Sequence, residues 1–110
     1  MKDKILEYIK LNPNVGYFTL TKIFGLSIEK LHKLLNINKF YIGTEYNGSK
    51  SVSIFDNNGN CIYFEKSDSE WEKLTYNNKD ALIKVEKSNG SLDKFEYDTN
   101  GKLINVKRFG

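Results

Sequence analysis

The stretch YDTNGKLINVKRFG, Tyr97 to Gly110, decides the fold. An aromatic residue and an aspartate lead into Thr-Asn-Gly, and a run rich in leucine, isoleucine and valine follows. Asp98 is placed to cap a type I turn through its side chain, and Gly101 to take the left-handed position of the bulge that closes it. The pattern recurs upstream. Phe55, Tyr76 and Tyr97 lie 21 residues apart, as do Asp56, Asn77 and Asp98. Ile62, Ile83 and Ile104 follow in register, then Phe64, Val85 and Val106, with Lys73 matching Lys94 and Leu74 matching Phe95. A fixed period of this kind marks a repeated supersecondary unit. With the turns FDNNGN, YNNKDA and YDTNGK inside the units, and KSDSEW and KSNGSL between them, each unit reads as a β-hairpin. Asp80 stands where the other two turns have glycine, which predicts slight strain in the middle turn.

These units resemble the YD (RHS-type) repeat, in which tyrosine-aspartate, a glycine turn, a basic residue and a leucine recur. Large proteins of that family coil many units into a shell around a toxin. The resemblance here implies hairpin geometry and no function. Alternation along the strands predicts that Leu74, Tyr76, Ile83, Val85, Phe95, Tyr97, Ile104 and Val106, with Ile62 and Phe64, share one face buried against the rest of the chain. Lys73, Thr75, Lys84, Lys94 and Glu96 then line the solvent face. Trp71 and Leu92 fall opposite the core, and Trp71, Tyr63 and Tyr41 are the candidate protein-contact anchors. The last strand, ending in VKRFG, offers an open edge through which two copies could pair.

The N-terminal half has helical spacing. Ile5, Leu6 and Ile9 share one face of a helix from Asp3 to Leu11, which NPNVG ends because Pro13 disfavours helical geometry at Asn12. Thr19 can cap a second helix, Leu20 to Phe24. Gly25 suits the left-handed residue after it, and Ser27 caps a third helix, Ile28 to Leu35. The buried stripe of that third helix would be Ile28, Leu31, Leu34 and Leu35, leaving Glu29, Lys30, His32 and Lys33 outside. Thr21, Phe24, Gly25, Leu26, Ser27, Leu31 and Leu34 are spaced as in the helix-turn-helix, to which the segment is similar. KFYIGTEY and SVSIF, joined at NGSK, read as a hairpin placed like the wing of a winged helix. The fold class expected is therefore α+β: a winged helix-turn-helix-like unit over residues 1–55, packed on a β-meander over residues 56–110, with one shared core.

Composition bounds the chemistry. The chain has 110 residues, 39% of them hydrophobic and 28% charged, as in a globular protein. No run of about 20 apolar residues could cross a bilayer, and no apolar signal core follows the N-terminal charges, so no membrane partner and a cytoplasmic location are expected. One cysteine, Cys61, and one histidine, His32, provide neither an internal disulfide nor a zinc site. Asp56 and Asp98 are turn caps rather than paired acids. No catalytic residue, metal or cofactor is expected, and no enzyme activity. Lysine outnumbers arginine 16 to 1, in keeping with an AT-rich bacterial or phage genome.

Charge then points to a partner. Residues 1–42 hold seven lysines against three acids, and residues 43–110 hold ten basic against eleven acidic residues. The basic excess sits on the helical segment, where phosphates would be met. The leading expectation is a small protein that binds DNA or RNA through Lys22, Lys30, His32, Lys33, Lys39 and Lys50. The third helix has no arginine, asparagine or glutamine outside for bidentate base contacts. The alternative is a phage-encoded inhibitor that binds a host protein or ribonucleoprotein, such as a CRISPR effector or another defence nuclease, through Trp71, Tyr63 and Tyr41.

Overall fold

The structure is a computed structural model and describes residues 1–68 and 70–110. Three helices, α1 (Lys2–Leu11), α2 (Tyr17–Phe24) and α3 (Ile28–Leu34), precede seven strands. The strands are β1 (Phe40–Thr44), β2 (Lys50–Phe55), β3 (Cys61–Lys66), β4 (Trp71–Tyr76), β5 (Leu82–Lys87), β6 (Leu92–Tyr97) and β7 (Leu103–Phe109). They pair antiparallel in sequence order as a single meander, so the fold is α+β.

The 21-residue offset in sequence is also an offset in hydrogen bonding. At one end of the sheet the N–H groups of Asp56, Asn77 and Asp98 donate to the carbonyls of Asn60, Ala81 and Lys102, each at 2.9 Å. In each of these turns the leading Asp or Asn side chain accepts from the backbone two and four residues on, at 2.9 to 3.0 Å. A register shift follows at the same place in each unit, beside Phe55, Tyr76 and Tyr97. The Tyr76 and Tyr97 hydroxyls then donate across to the carbonyls of Cys61 and Leu82, 15 residues back in both cases. At the other end the pattern reaches one unit further upstream than the sequence reading took it. The N–H groups of Glu45, Lys66 and Lys87 donate to Ser49, Glu70 and Ser91, and these three positions keep the same spacing. The hairpin read as a wing is thus the first pair of strands in the sheet, and β2 joins β3 through Val52↔Glu65 and Ile54↔Tyr63.

The face that receives the helices differs from the expected one. Register sets Phe40, Ile54, Tyr63 and Lys73 in one row across β1 to β4, and Ile42, Val52, Glu65 and Trp71 in the next. This face meets the helices. Val52 is buried with Ile5, Phe18, Leu20, Ile28 and Leu31, while Ile54, Tyr63 and Trp71 form a second cluster to which Tyr17 and Phe40 connect it. The set expected to be buried under the helices lies elsewhere. Of its ten residues only Ile62 packs on a buried cluster. Leu74 and Val85, and Phe95 and Val106, pair across strands instead and shield one another on the open sheet. Three short helices span only β1 to β4, so the remaining strands are a single layer and every residue of β7 is exposed.

The middle turn does carry its expected backbone cost. Asp80 has φ of 60°, where Gly59 and Gly101 have 85° and 83°. Its carboxylate offsets the strain by accepting from Asn58 Nδ2 at 3.1 Å and Asn60 Nδ2 at 2.9 Å. A Cβ at Gly101 meets nothing within 4 Å, so only its left-handed backbone opposes a side chain there. Gly101→Ala is therefore expected to cost about 1 kcal/mol, and Asp80→Gly to change stability by less than about 0.5 kcal/mol, in urea unfolding.

Candidate nucleic-acid interface

The helical end is assembled around α2, whose sequence YFTLTKIF is poor in helix formers and too short to be stable alone. It begins at Tyr17, three residues before the expected start at Leu20, and Gly16 rather than Thr19 is its N-cap. Glycine provides no capping side chain, and the cap comes from the sheet. The fully buried Glu65 of β3 accepts from the backbone N–H groups of Tyr17 at 2.7 Å and Phe18 at 2.9 Å. The Tyr63 hydroxyl donates to the same carboxylate at 2.6 Å. An acid at a helix N-terminus satisfies orphan donors and meets the positive end of the helix dipole. The carboxylate raises the pKa of both Tyr17 and Tyr63, although burial is the larger cause in each.

Gly16 is what lets the carboxylate in. A Cβ there would stand 2.6 Å from Glu65 Oε2 and 2.9 Å from its Cδ. Glu65→Ala leaves two backbone donors and a tyrosine hydroxyl unpaired, and should cost about 3 kcal/mol or more in chemical denaturation. Gly16→Ala displaces the carboxylate from the same bonds and should cost roughly 2 kcal/mol, although it removes no atom.

The turn that follows agrees with the sequence. Gly25 ends α2 with φ of 64° and ψ of 36°, and Leu26 N–H donates back to the Thr21 carbonyl. Ser27 Oγ accepts from Lys30 N–H at 3.2 Å and starts α3, which closes at Leu34 with Leu35 as its C-cap. Ile28 and Leu31 are buried as expected, and Leu34 and Leu35 are half-buried.

Of the six candidate phosphate-contact residues, Lys22, Lys30, Lys33, Lys39 and Lys50 are exposed. Lys22, Lys30 and Lys33 flank the α2–α3 turn. Lys39 precedes β1 and Lys50 opens β2 opposite Thr44, so the backbone holds these two at opposite ends of the hairpin, about 17 Å apart. Among the described residues none of the five forms an ion pair. The sheet is different: Lys84 pairs with Glu86, Lys87 with Glu72, Lys107 with Glu96 and Arg108 with Asp93, at 3.0 to 4.0 Å.

His32, expected on the outer face of α3, is fully buried. It lies one residue after Leu31 and four after Ile28, and so turns into the cleft between α2 and the sheet. There its ring lies 5.0 Å from that of Tyr17 and 4.6 Å from that of Phe40. Nδ1 is 2.8 Å from the Ile28 carbonyl, an acceptor, so Nδ1 carries the proton. Nε2 has no partner among the described residues. Burial lowers the His32 pKa below its usual 6.5, against the opposing pull of the Ile28 carbonyl and of the Glu65 and Glu29 carboxylates. The neutral ring is thus favoured by folding. Stability contributed this way is complete above the unfolded pKa and falls as pH drops below about 6.5. His32→Phe keeps an aromatic ring in the cleft and removes the titration. Between about pH 7.5 and about pH 5.5 the variant should lose less unfolding free energy than the natural chain.

Two of the three protein-contact candidates are also inside. Tyr63 and Trp71 stack with ring centroids 6.3 Å apart in the second buried cluster, and Lys73 Nζ lies 4.9 Å above the Trp71 ring. Trp71 stands opposite Glu65 on the helix-facing side, so the face given to it by sequence is corrected. Tyr41 is 67% exposed. Cys61 is half-buried beside its turn, with Sγ 3.3 Å from the Tyr63 carbonyl.

Glu65 is the residue that sequence reasoning missed. Its one legible signal was an acid two residues from Tyr63 on a strand; that Trp71 stands directly opposite comes from the register alone. Among the described residues no cluster of histidine, cysteine, aspartate and glutamate could hold a metal, and no helix is long and apolar enough to cross a membrane. No protein-family model and no curated protein matches the chain.

Proposed function

We propose that the protein is a non-enzymatic nucleic-acid-binding module, and that its helix-turn-helix-like end grips the phosphate backbone through Lys22, Lys30 and Lys33. The observation that carries this reading is the partition of charge. Four basic side chains of the sheet, Lys84, Lys87, Lys107 and Arg108, each have a carboxylate within 4.0 Å, whereas the lysines around the α2–α3 turn have no carboxylate partner among the described residues. Uncompensated lysines beside a tight helical turn suit backbone contact. His32 is withdrawn from the contact set by its burial, and Lys39 and Lys50 are secondary contacts at best for one segment of nucleic acid. With Glu29, Lys30 and Lys33 as the polar groups on the outside of α3, binding follows backbone shape rather than base identity.

A protein or ribonucleoprotein target, as for a phage inhibitor of a host nuclease, is the second reading. Tyr41 is the anchor that favours it, now that Tyr63 and Trp71 are in the core.

Fluorescence anisotropy with labelled duplex DNA, single-stranded DNA and RNA over a range of salt tests the two. Three phosphate contacts on duplex DNA should give a log–log salt slope of about −2.7. Lys30→Glu with Lys33→Glu should abolish binding, and Lys84→Glu with Lys94→Glu should leave it nearly unchanged. Absence of binding at low salt, or equal loss from both pairs, refutes the proposed site. The search would then turn to a protein target sensitive to Tyr41→Ala.

A further inference from the structure

Asparagine followed by glycine is prone to deamidation, because the unhindered glycine nitrogen can attack the side-chain amide before it. The chain has four such pairs, at Asn47, Asn58, Asn89 and Asn100, each in a hairpin turn. In all four the glycine has φ between 83° and 89°, and its N–H donates across the turn at 2.9 to 3.2 Å. The asparagines themselves are held differently. Asn47 Oδ1 accepts from the Ser49 N–H at 3.1 Å and from the Ser49 hydroxyl at 2.6 Å. Asn89 Oδ1 accepts from the Ser91 N–H at 2.9 Å. The backbone N–H groups of Asn58 and Asn100 donate instead to the carboxylates of Asp56 and Asp98, both at 2.9 Å, and Asn58 Nδ2 is tied to Asp80 at 3.1 Å. Two donors on the Asn47 oxygen polarise its amide and stabilise the negative charge that the oxygen gains when its carbon is attacked. A carboxylate against the backbone of Asn58 and Asn100 opposes the same charge. The bond from Ser49 also closes a ring that includes Gly48, so the Asn47 amide is kept folded back over the glycine it would join.

We propose that Asn47 is a self-modification site, the first residue of the folded protein to convert to aspartate and isoaspartate. The Gly48 nitrogen gives up its proton and bonds to Asn47 Cγ. The Cγ–Nδ2 bond breaks, and the amide nitrogen leaves as ammonia with that proton. Water then opens the cyclic imide at either of its carbonyls. One opening leaves aspartate, and the other leaves isoaspartate, in which the backbone runs through the former side chain. Water is the one co-reactant, and nothing is oxidised or reduced. Asn47 and Gly48 are exposed, so water reaches both. The product adds a carboxylate at the tip of the β1–β2 hairpin, close in sequence to Lys50. Isoaspartate also lengthens the backbone by one carbon inside the turn that the Glu45 N–H and the Ser49 carbonyl close at 2.7 Å. The inference stands whether or not the protein binds nucleic acid.

Cleavage at lysine places the four pairs on separate peptides, 40–50, 51–66, 88–94 and 95–102. One digest read by mass spectrometry therefore times all four, and chromatography resolves isoaspartate from aspartate. The full chain, held folded at neutral pH, should convert Asn47 first and Asn89 next, with Asn58 and Asn100 behind. In urea the turns are gone, and the four rates should become nearly equal. Ser49→Ala keeps the backbone donor and removes the hydroxyl. It should slow Asn47 relative to Asn89 in the same sample by about threefold or more, the worth of one hydrogen bond. Earlier conversion of Asn58 or Asn100 in the folded chain overturns the proposal. So does the same order of rates in the folded chain and in urea, or an Asn47 rate that Ser49→Ala leaves unchanged. The natural chain decides the point even if the variant fails to fold.

Discussion

Glu65 holds the two halves of the protein together. Its carboxylate reaches from the middle of β3 to the first N–H groups of α2, across 47 and 48 residues of sequence, and takes the Tyr63 hydroxyl as well. A buried carboxylate is costly unless its lone pairs are used, and here three donors use them. The arrangement fixes α2 in direction as well as place, because only the N-terminus of a helix presents free donors. Everything near the helical turn inherits that orientation. Gly25 and Ser27 set the turn relative to α2, and α3 then delivers His32 into the cleft beside Tyr17. Gly16 completes the device by leaving space where any other residue would put a Cβ.

The sheet obeys a different logic. Its strands are held by neighbours in sequence, with one set of turn, bulge and tyrosine bonds recurring every 21 residues. Such a meander can grow without a second layer, because each hairpin shields its neighbour's side chains as Leu74 does Val85. The cost is an uncovered end. Burial declines from β2, where Val52 is fully enclosed, to β7, where nothing is. Local order and tertiary packing are therefore separable here: the repeat specifies the hairpins, and the helices stabilise only those they touch.

That separation explains what could be read in the sequence. The repeat, its turn caps, the left-handed Gly25 and the Ser27 cap all depend on residues within a few positions of one another, and all are present. The covered face was not legible. A period of two says that side chains alternate, but both faces of β3 and β4 carry large apolar residues, Phe64 and Leu74 on one and Tyr63 and Trp71 on the other. Which of them is buried depends on where α2 is docked, and that depends on Glu65. His32 was misread for a related reason. On a helix of seven residues a polar side chain beside the apolar stripe can lie on either flank, and only the aromatic rings of Tyr17 and Phe40 decide which. The start of α2 was misplaced because its cap lies on another element.

Charge ties the two halves to one functional argument. The chain's acids are spent mainly in the sheet, where they cap turns, neutralise basic neighbours and, at Glu65, anchor a helix. The helical segment retains only Asp3, Glu7 and Glu29 against seven lysines. In the sheet Lys84, Lys87, Lys107 and Arg108 are engaged by carboxylates, while Lys22, Lys30 and Lys33 around the α2–α3 turn are not, among the described residues. A solvated lysine ladder and a phosphate-binding surface have the same composition. Cross-strand and in-strand carboxylate partners separate them physically, since an engaged ammonium must give up its partner before it meets a phosphate. On the side of the molecule that Glu65 holds in place, Lys22, Lys30 and Lys33 have no such partner among the described residues.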